Sequence, residues 1–247
     1  MKTVKDRLDK ELVRRGLVET RQRAQGLILS GKVQVDGARV DKAGTMVTED
    51  ADIKITGEDI PFVSRGGLKL KAAIDNFGID VRGLVCADIG ASTGGFTDCL
   101  LQEGASRVYA VDVGYGLIDS RLRNDPRVSL IERTNVRYIA PDAFGGPVDF
   151  ATIDVSFISL KLVLGPVSAL LRQGGAIVAL VKPQFEVGKG KVGKGGIVRD
   201  EAERSRSLEA VKDFAGSIGL EVLGLIESPI KGAKGNVEYL LYMRKPA

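Results

Sequence analysis

Three short segments of the 247-residue chain hold residues able to do chemistry at the ends of apolar runs. DIGASTGGFTDCLL, residues 88–101, is a glycine-rich turn between an apolar run and a helical pattern, the shape that holds a nucleotide-like cofactor. DVSFISL places an acid, Asp154, directly after a second apolar run, and LVKPQFEVGKG places Lys182 directly after a third. Ligands of open α/β sheets sit at the carboxyl ends of the strands, so the three segments point at one crevice. A lysine beside a carboxylate beside a cofactor is the equipment of base-assisted group transfer. Desolvation and a neighbouring cation both lower a lysine pKa and make the amine usable as a base. Lys69, on a helix expected just before the first strand of the sheet, can supply that cation, and Glu238, near the end of the chain, can supply a second acid. In such a quartet the acids orient the amines, and one amine removes a proton from a hydroxyl. Taken singly, each residue also reads as half of a structural ion pair. The chain has no histidine, which argues against a metal site and leaves Lys, Asp, Glu, Tyr or Cys as the base.

Strands must carry these residues. LVCADIG, RVYAVDV, VSLIERT, VDFATIDVS and GAIVALV are short apolar runs rich in Val, and helical patterns near 67–77, 95–103, 159–172 and 200–217 precede or separate several of them. Such alternation predicts an α/β fold with a mostly parallel sheet covered on both faces. The chain ends differently. EVLGLIESP and NVEYLLYMRK are joined by a Gly/Lys loop too short for a crossover helix, which predicts an antiparallel terminal hairpin at the sheet edge.

A parallel sheet closed by a terminal hairpin resembles the Rossmann-like class I methyltransferases. The glycine segment fits that resemblance. It reads Gly90-Ala-Ser-Thr-Gly94-Gly95 and not G-x-G-x-x-G, so it does not build a dinucleotide pyrophosphate turn and speaks against a nicotinamide dehydrogenase. S-adenosyl-L-methionine has no phosphate and needs no such turn. Asp112 ends the next strand, 22 residues after Gly90, where a carboxylate can take both ribose hydroxyls. Asp88 is expected to accept from the methionine amino group, directly or through water. Ser92, Thr93, Gly95, Phe96 and Val113 complete the expected cofactor set.

The first 58 residues read as a separate unit. Leu8, Leu12 and Val13 mark one face of a helix over 7–15 closed by Gly16, and a second helix runs from the Thr20 cap to Leu29 with Ala24, Leu27 and Ile28 inward and Gly31 after it. Val33 and Val35 precede an Asp36-Gly37 hairpin turn, and a last strand is expected at 52–55. Residues 1–32 carry nine Lys or Arg against four Asp or Glu, whereas the remainder is close to neutral, out of a net charge of +4. A concentrated positive patch attracts polyanions by displacing their counterions. RLDKELVRRGLVETRQRAQGLILSGKVQVDG is similar to the small RNA-binding module shared by a ribosomal small-subunit protein, pseudouridine synthases and tyrosyl-tRNA synthetases. That resemblance makes Arg7, Lys10, Arg14, Arg15, Arg21, Arg23 and Lys32 expected RNA contacts. The glycine-rich loop over 185–197 adds Lys189 and Lys191, with Lys194 beside them. The expected organisation is an RNA-binding domain over 1–58, a linker over 59–63 containing Pro61, and a methyltransferase domain over 64–247.

Lys69, Asp154, Lys182 and Glu238 resemble the catalytic tetrad of FtsJ-like ribose 2′-O-methyltransferases. SRGGLKL, DIGASTGGFT, VDVGYG, LIERTN, DVSFISL, LVKPQFEVGKG and GNVEYLLY look like the TlyA branch of that family, rRNA cytidine-2′-O-methyltransferases also known as haemolysins. The resemblance implies methyl transfer from S-adenosyl-L-methionine to a cytidine ribose of ribosomal RNA, with ribosomal subunits as partners. Competing readings are a haemolysin and an RNA-binding module without catalysis. The first lacks any apolar run near the ~18 residues of a membrane span, and the second predicts a broken tetrad or cofactor turn. No apolar signal opens the chain, so a cytoplasmic location is expected, and Cys86 and Cys99, both in apolar surroundings, read as core.

Overall fold

The computed structural model describes residues 5–18, 20–29, 31–56, 60–188, 190–193 and 195–247. The chain divides into two compact units, Met1–Asp59 and Ile60–Ala247.

The first unit comprises β1 (Lys5–Arg7), α1 (Leu8–Arg14), α2 (Arg21–Leu29), β2 (Val33–Val35), β3 (Ala38–Val40), β4 (Met46–Thr48) and β5 (Ile53–Ile55). Leu8, Leu12, Ala24, Ile28 and Val33 are fully buried in its core. Thr20 accepts from the Arg23 amide, and Gly16 and Gly31 follow the helices with φ of 68° and 67°. Asp36 and Gly37, at φ 50° and 80°, close the β2–β3 hairpin as expected for two left-handed turn residues. The antiparallel pair β1–β4 was not expected, because three-residue strands carry no readable periodicity.

Two acids are buried in this unit, and arginines surround them. Asp9 accepts from Arg7 at 3.0 and 3.1 Å, from Arg21 at 2.8 Å and from Gln25 at 2.9 Å. Glu11 accepts from Arg14 at 2.8 and 2.6 Å and from Arg15 at 2.6 Å. The Arg7 hydrogen bonds, with help from Gln25 and Arg21, hold the Asp9 carboxyl well below the usual range. Those of Arg14 and Arg15 pull Glu11 down to about 2.

The second unit is a seven-stranded sheet in the order β11-β12-β10-β9-β6-β7-β8. Its elements are α3 (Gly66–Phe77), β6 (Val85–Ile89), α4 (Gly95–Gln102), β7 (Arg107–Val111), α5 (Ser120–Arg123), β8 (Val128–Ile131), β9 (Val148–Ile153), α6 (Leu164–Leu170), β10 (Leu171–Val181), α7 (Pro183–Glu186), α8 (Glu201–Ser217), β11 (Glu221–Glu227) and β12 (Tyr239–Arg244). The strands from β8 to β10 pair in parallel, while β12 runs antiparallel to both β10 and β11. The terminal hairpin therefore closes the sheet, with β12 tucked inside and β11 on the edge. Ala87, Ile89, Ile153 and Val181 pack on one face. Cys86, Phe150, Val178, Leu180 and Leu240 pack on the other, together with α3 and α4 residues. Burial pushes the Cys86 thiol up to about 12, and both cysteines are free and buried. The expected 159–172 helix is shorter, a 3-10 turn at Leu160–Leu162 followed by α6, and Leu171 already belongs to β10.

The Glu11 carboxyl, lowered by folding, contributes stability above its unfolded pKa near ~4.3, and that contribution is lost as pH falls from there toward about 2. Urea titrations followed by circular dichroism should show the first unit weakening across that window, and Glu11→Gln should flatten the pH dependence there while lowering stability at neutral pH. An unchanged acid limb in the variant would remove Glu11 from the account.

Candidate active site

Alternation along the strands decides which side chains meet. Phe150 of β9, Val178 and Leu180 of β10 and Leu240 of β12 all face the core shared with α3 and α4. Two-residue periodicity carries that face forward to Thr152 and Asp154, forward to Lys182, and back to Glu238. Register does the rest. Val181 pairs with Tyr239, which brings Lys182 opposite Glu238, and Ile89 pairs with Ile153, which brings Gly90 opposite Asp154.

Lys69 of α3 donates to Glu238, with Nζ 2.6 Å from Oε2. Lys182 Nζ donates to Ser156 Oγ at 2.9 Å and lies 2.6 Å from Asp154 Oδ1. That last contact is an ion pair off the hydrogen-bond line, since the buried Oδ1 has no directed donor. The Glu238 and Lys69 side chains are 3% and 12% exposed, so water screens their pair little. Removing one member of such a pair costs about 3–5 kcal/mol, because the other charge is left buried alone.

All four residues line a cavity of about 440 Å³, together with Ser64, Arg65, Gln184, Phe185 and Lys231. A second cavity of about 700 Å³ lies along the ends of β6, β7 and β9 and is lined by Asp112, Val113, Leu117, Asn135 and Val136 among others. Gly90, Ser92, Asp154, Ser156 and Phe157 belong to both linings. The larger volume is of the size that encloses a small organic cofactor.

The glycine turn shapes the common wall. Gly90 has φ 87°, and a Cβ on it would sit 2.4 Å from the Asp154 carbonyl oxygen, so no side chain fits. Ser92 takes φ 50° and donates its amide to Asp112 Oδ2 at 2.8 Å, while Gly114 donates to Oδ1 at 2.7 Å. Asp112 is thereby fixed on the wall of the larger cavity, and each oxygen keeps a lone pair for a further donor. Thr93, Gly95 and Phe96 line the smaller cavity, and Val113 lines the larger.

Two members of the expected cofactor set are elsewhere. Asp88 is fully buried and lines neither cavity. Its Oδ2 accepts from Thr97 at 2.6 Å and its Oδ1 from Thr152 at 3.0 Å, and burial raises its pKa to about 6. It ties β6 to α4 and β9, whereas it was expected to accept from the methionine amino group, directly or through water. Gly94 also lines neither cavity. Its φ of 95° and the 2.3 Å that a Cβ would leave to Leu122 Cδ1 explain the glycine by packing alone. Sequence reasoning missed Ser156, Phe157, Phe185 and the Asn135–Val136 turn. Phe157, inside DVSFISL, is 91% exposed with φ 64°, and its ring lies 5.1 Å from that of Phe185. A phenylalanine after an apolar strand reads as core, so its exposure carried no signal.

The expected RNA contacts divide as well. Arg7, Arg14 and Arg21 are occupied by the buried acids. Arg15 differs most from expectation, because besides Glu11 its guanidinium donates to the carbonyls of Ala51 at 2.7 Å and Glu49 at 2.9 Å and so staples α1 to the β4–β5 connection. Lys10 is exposed, 3.9 Å from Asp6, and Arg23 and Lys32 lie in the same unit, both half-buried. Lys191 pairs with Glu203 at 3.0 Å, which α8 presents to the loop. Lys189 and Lys194 lie outside the described residues. Among the described residues there is no cluster that could hold a metal ion, and no helix is long and apolar enough to cross a membrane.

A family model for FtsJ-like methyltransferases matches residues 62–245, the whole of the sheet and both cavities. The chain belongs to the FtsJ-like methyltransferase family. A model for the S4 domain matches residues 6–53. The chain is 49% identical over 239 residues to the 16S/23S rRNA (cytidine-2′-O)-methyltransferase TlyA of Mycobacterium tuberculosis, covering 96% of this chain and 89% of that one. It is 42% identical over 237 residues to Hemolysin A of Brachyspira hyodysenteriae, covering 96% and 98%. It is also similar to a solved structure of a Streptococcus thermophilus protein that carries the hemolysin label, with a TM-score of 0.77 and 46% identity over 98% of this chain and 89% of that one.

Gly232 tests the geometry of the tetrad in this methyltransferase. A Cβ there would lie 1.9 Å from Glu238 Oε1. Gly232→Ala should displace the carboxylate from Lys69, lower methyl transfer about tenfold or more and lower the thermal midpoint as well, because the pair it separates is buried. Full activity in the variant would show that the Lys69–Glu238 pair tolerates displacement.

Proposed function

We propose that the protein transfers a methyl group from S-adenosyl-L-methionine to the 2′-hydroxyl of a cytidine in ribosomal RNA, using Lys69, Asp154, Lys182 and Glu238. The observation that carries this reading is the pair of ion pairs, Lys182 with Asp154 and Lys69 with Glu238, lining a cavity whose wall is shared with a second, cofactor-sized one. The name of the M. tuberculosis relative supports the substrate, and the S4 match supports RNA as partner.

The residues present fit the cofactor. Asp112 offers two lone pairs to ribose hydroxyls, the Gly90–Ser92 backbone leaves the strand end open, and Val113, Leu117 and Val136 supply apolar surface for a purine. S-adenosyl-L-methionine supplies a methyl on a positively charged sulfur, an electrophile that needs no metal. The ribose hydroxyl is the weak partner, because its proton leaves only at high pH. The Lys182 amine nitrogen would take that proton as the oxygen bonds to the methyl carbon and the methyl–sulfur bond breaks. Asp154, 2.6 Å away, stabilises the ammonium so formed, and Ser156 at 2.9 Å fixes the direction of the amine. Glu238 holds Lys69 beside the same cavity. Alignment of the reacting atoms supplies most of the acceleration and base assistance adds to it. A nucleotide that leaves its stack to present its ribose to this cavity finds in the exposed Phe157 ring beside Phe185 a new stacking partner for its base.

Lys182→Ala is expected to lower methyl transfer to ribosomal RNA by about 10² or more while cofactor affinity, measured by calorimetry, stays within about threefold. Equal loss of cofactor binding would make Lys182 a structural residue and overturn its role as base. Primer extension on ribosomes from cells with and without the protein locates the nucleotide, and no difference in ribose methylation would sink the reading.

A further inference from the structure

Glu186 is a part-buried carboxylate that lines neither cavity and has no role in the mechanism above, yet the chain has built a site for it. Its Oε2 accepts from Ser159 Oγ at 2.6 Å and its Oε1 from the Leu160 amide at 2.8 Å. Desolvation raises its pKa above the usual carboxylate range, so its place is held against a cost. The Ser159 hydroxyl is itself fixed, because it also accepts from the Lys161 amide at 3.2 Å.

The placement is informative. Lys182 and Glu186 stand four residues apart on either end of the α7 turn, which starts at Pro183 and is closed by the Phe185 amide on the Lys182 carbonyl at 2.8 Å and the Val187 amide on the Pro183 carbonyl at 2.9 Å. Lys182 is the extended N-cap of the turn and Glu186 its last residue, and both side chains reach the 154–160 segment. Lys182 reaches Asp154 and Ser156, and Glu186 reaches Ser159 and Leu160. Between them the Phe185 ring meets that of Phe157. Two segments that run side by side, 154–160 and 182–186, are thus joined at three successive rungs, and Glu186 is the rung farthest from the reacting amine.

We propose that Glu186 is a positioning residue for methyl transfer, one that locks the segment carrying Lys182 and Phe185 against the segment carrying Asp154, Ser156 and Phe157 and so sets where the base stands relative to the common wall of the two cavities. The inference rests on the methyl-transfer reading above. Loss of the tie lets α7 pivot on Pro183, and a displacement of about 1 Å at the base is enough to cost up to a hundredfold in rate. Asp112 and the glycine turn do not touch this tie, and although Ser159 lines the larger cavity, Glu186 does not, so Glu186→Ala is the variant expected to keep cofactor affinity.

The test uses the full chain with Glu186→Ala, Glu186→Gln, Ser159→Ala and the Glu186→Ala/Ser159→Ala double variant. Each is measured for kcat on ribosomal RNA, for cofactor affinity and for hydrogen exchange at the Leu160 amide. Glu186→Ala should lower kcat about tenfold to a hundredfold with cofactor affinity within about threefold, and should speed exchange at Leu160. Glu186→Gln keeps an acceptor for the Leu160 amide and a donor for Ser159 Oγ, so it should restore kcat to within about threefold of the unaltered chain. The double variant should be no slower than Glu186→Ala, because both changes remove one interaction. Unchanged kcat in Glu186→Ala despite faster exchange at Leu160 would overturn the proposal, as would parallel loss of kcat and cofactor affinity. Where Glu186→Ala fails to fold, Ser159→Ala decides, since a kcat equal to that of the unaltered chain would overturn it. An unaltered chain that binds cofactor but methylates no ribosomal RNA would instead overturn the functional reading on which the proposal stands.

Discussion

The arrangement of polar groups at the heart of this protein depends on the register of β9, β10 and β12. Side chains on a strand alternate between faces, so a slip of one residue sends every one of them to the other side of the sheet. Apolar residues set that register. Phe150, Val178, Leu180 and Leu240 are buried against α3 and α4, and Ile153, Ile177, Val181 and Leu241 against the opposite layer. A slip would expose neither set but exchange them, forcing Phe150 and Leu240 into a layer packed around other shapes. Once that packing is fixed, Asp154, Lys182 and Glu238 have no choice of face. The ion pairs are therefore a consequence of the hydrophobic register, not its cause, which agrees with the small net stabilisation that buried pairs contribute.

The two units use buried acids in different ways. In the first, Asp9 and Glu11 are each surrounded by several donors. Arginine suits that task, because its planar fork satisfies a carboxylate from two directions and never releases its proton. In the second, Asp154 and Glu238 each have one lysine and stand on a cavity wall, while the fully buried Asp88 is met by two threonines. Lysine carries a single movable charge and can give up a proton, so a lysine pair can do what an arginine cluster cannot. The surplus of cations in residues 1–32 is consequently less free than its count implies, since four of the nine already serve a folded carboxylate. Such arginines keep part of their surface, but their geometry is committed before any polyanion arrives.

Much of this was legible in the sequence, and the reason is periodicity. The strands with Val-rich runs, the terminal hairpin, the Asp36–Gly37 turn and the caps at Gly16 and Gly31 all rest on local rules that tertiary contacts did not override. Asp154 and Lys182 stood out because each directly follows an apolar run, while Lys69, on a helix, and Glu238, in the terminal hairpin, joined them through the resemblance to the FtsJ-like tetrad. What was hidden depends on contacts between distant segments. β1 and β4 are too short to show a pattern and exist because each gives the other a partner. Asp88 and Asp112 look alike in sequence, each at the end of a strand. Asp88 belongs to the buried half of its strand, where Thr97 and Thr152 satisfy it, whereas Asp112 lies one step past its strand, on a cavity wall. Gly90 and Gly94 likewise look equivalent, yet a carbonyl of β9's extension excludes a side chain at one and an α5 leucine excludes it at the other.

Gly90 stands where the linings of the two cavities meet. Parallel neighbours β6 and β9 end together, with Asp154 donating its amide to the Ile89 carbonyl at 2.8 Å. Any side chain on residue 90 would need to push the Asp154 backbone away, and with it the carboxylate that faces Lys182. The backbone of the cofactor turn and the backbone of the tetrad acid are therefore in contact with nothing between them. Gly90, Ser92 and Ser156 are small residues in the region common to both cavities, and Phe157, the one aromatic there, turns its ring out to solvent on a left-handed backbone. In the proposed transfer the reacting atoms must approach to about 3–3.5 Å, so this common region has to stay free of bulk. The close approach of the two backbones links the glycine turn to Asp154 through space although the two residues stand 64 positions apart in the chain.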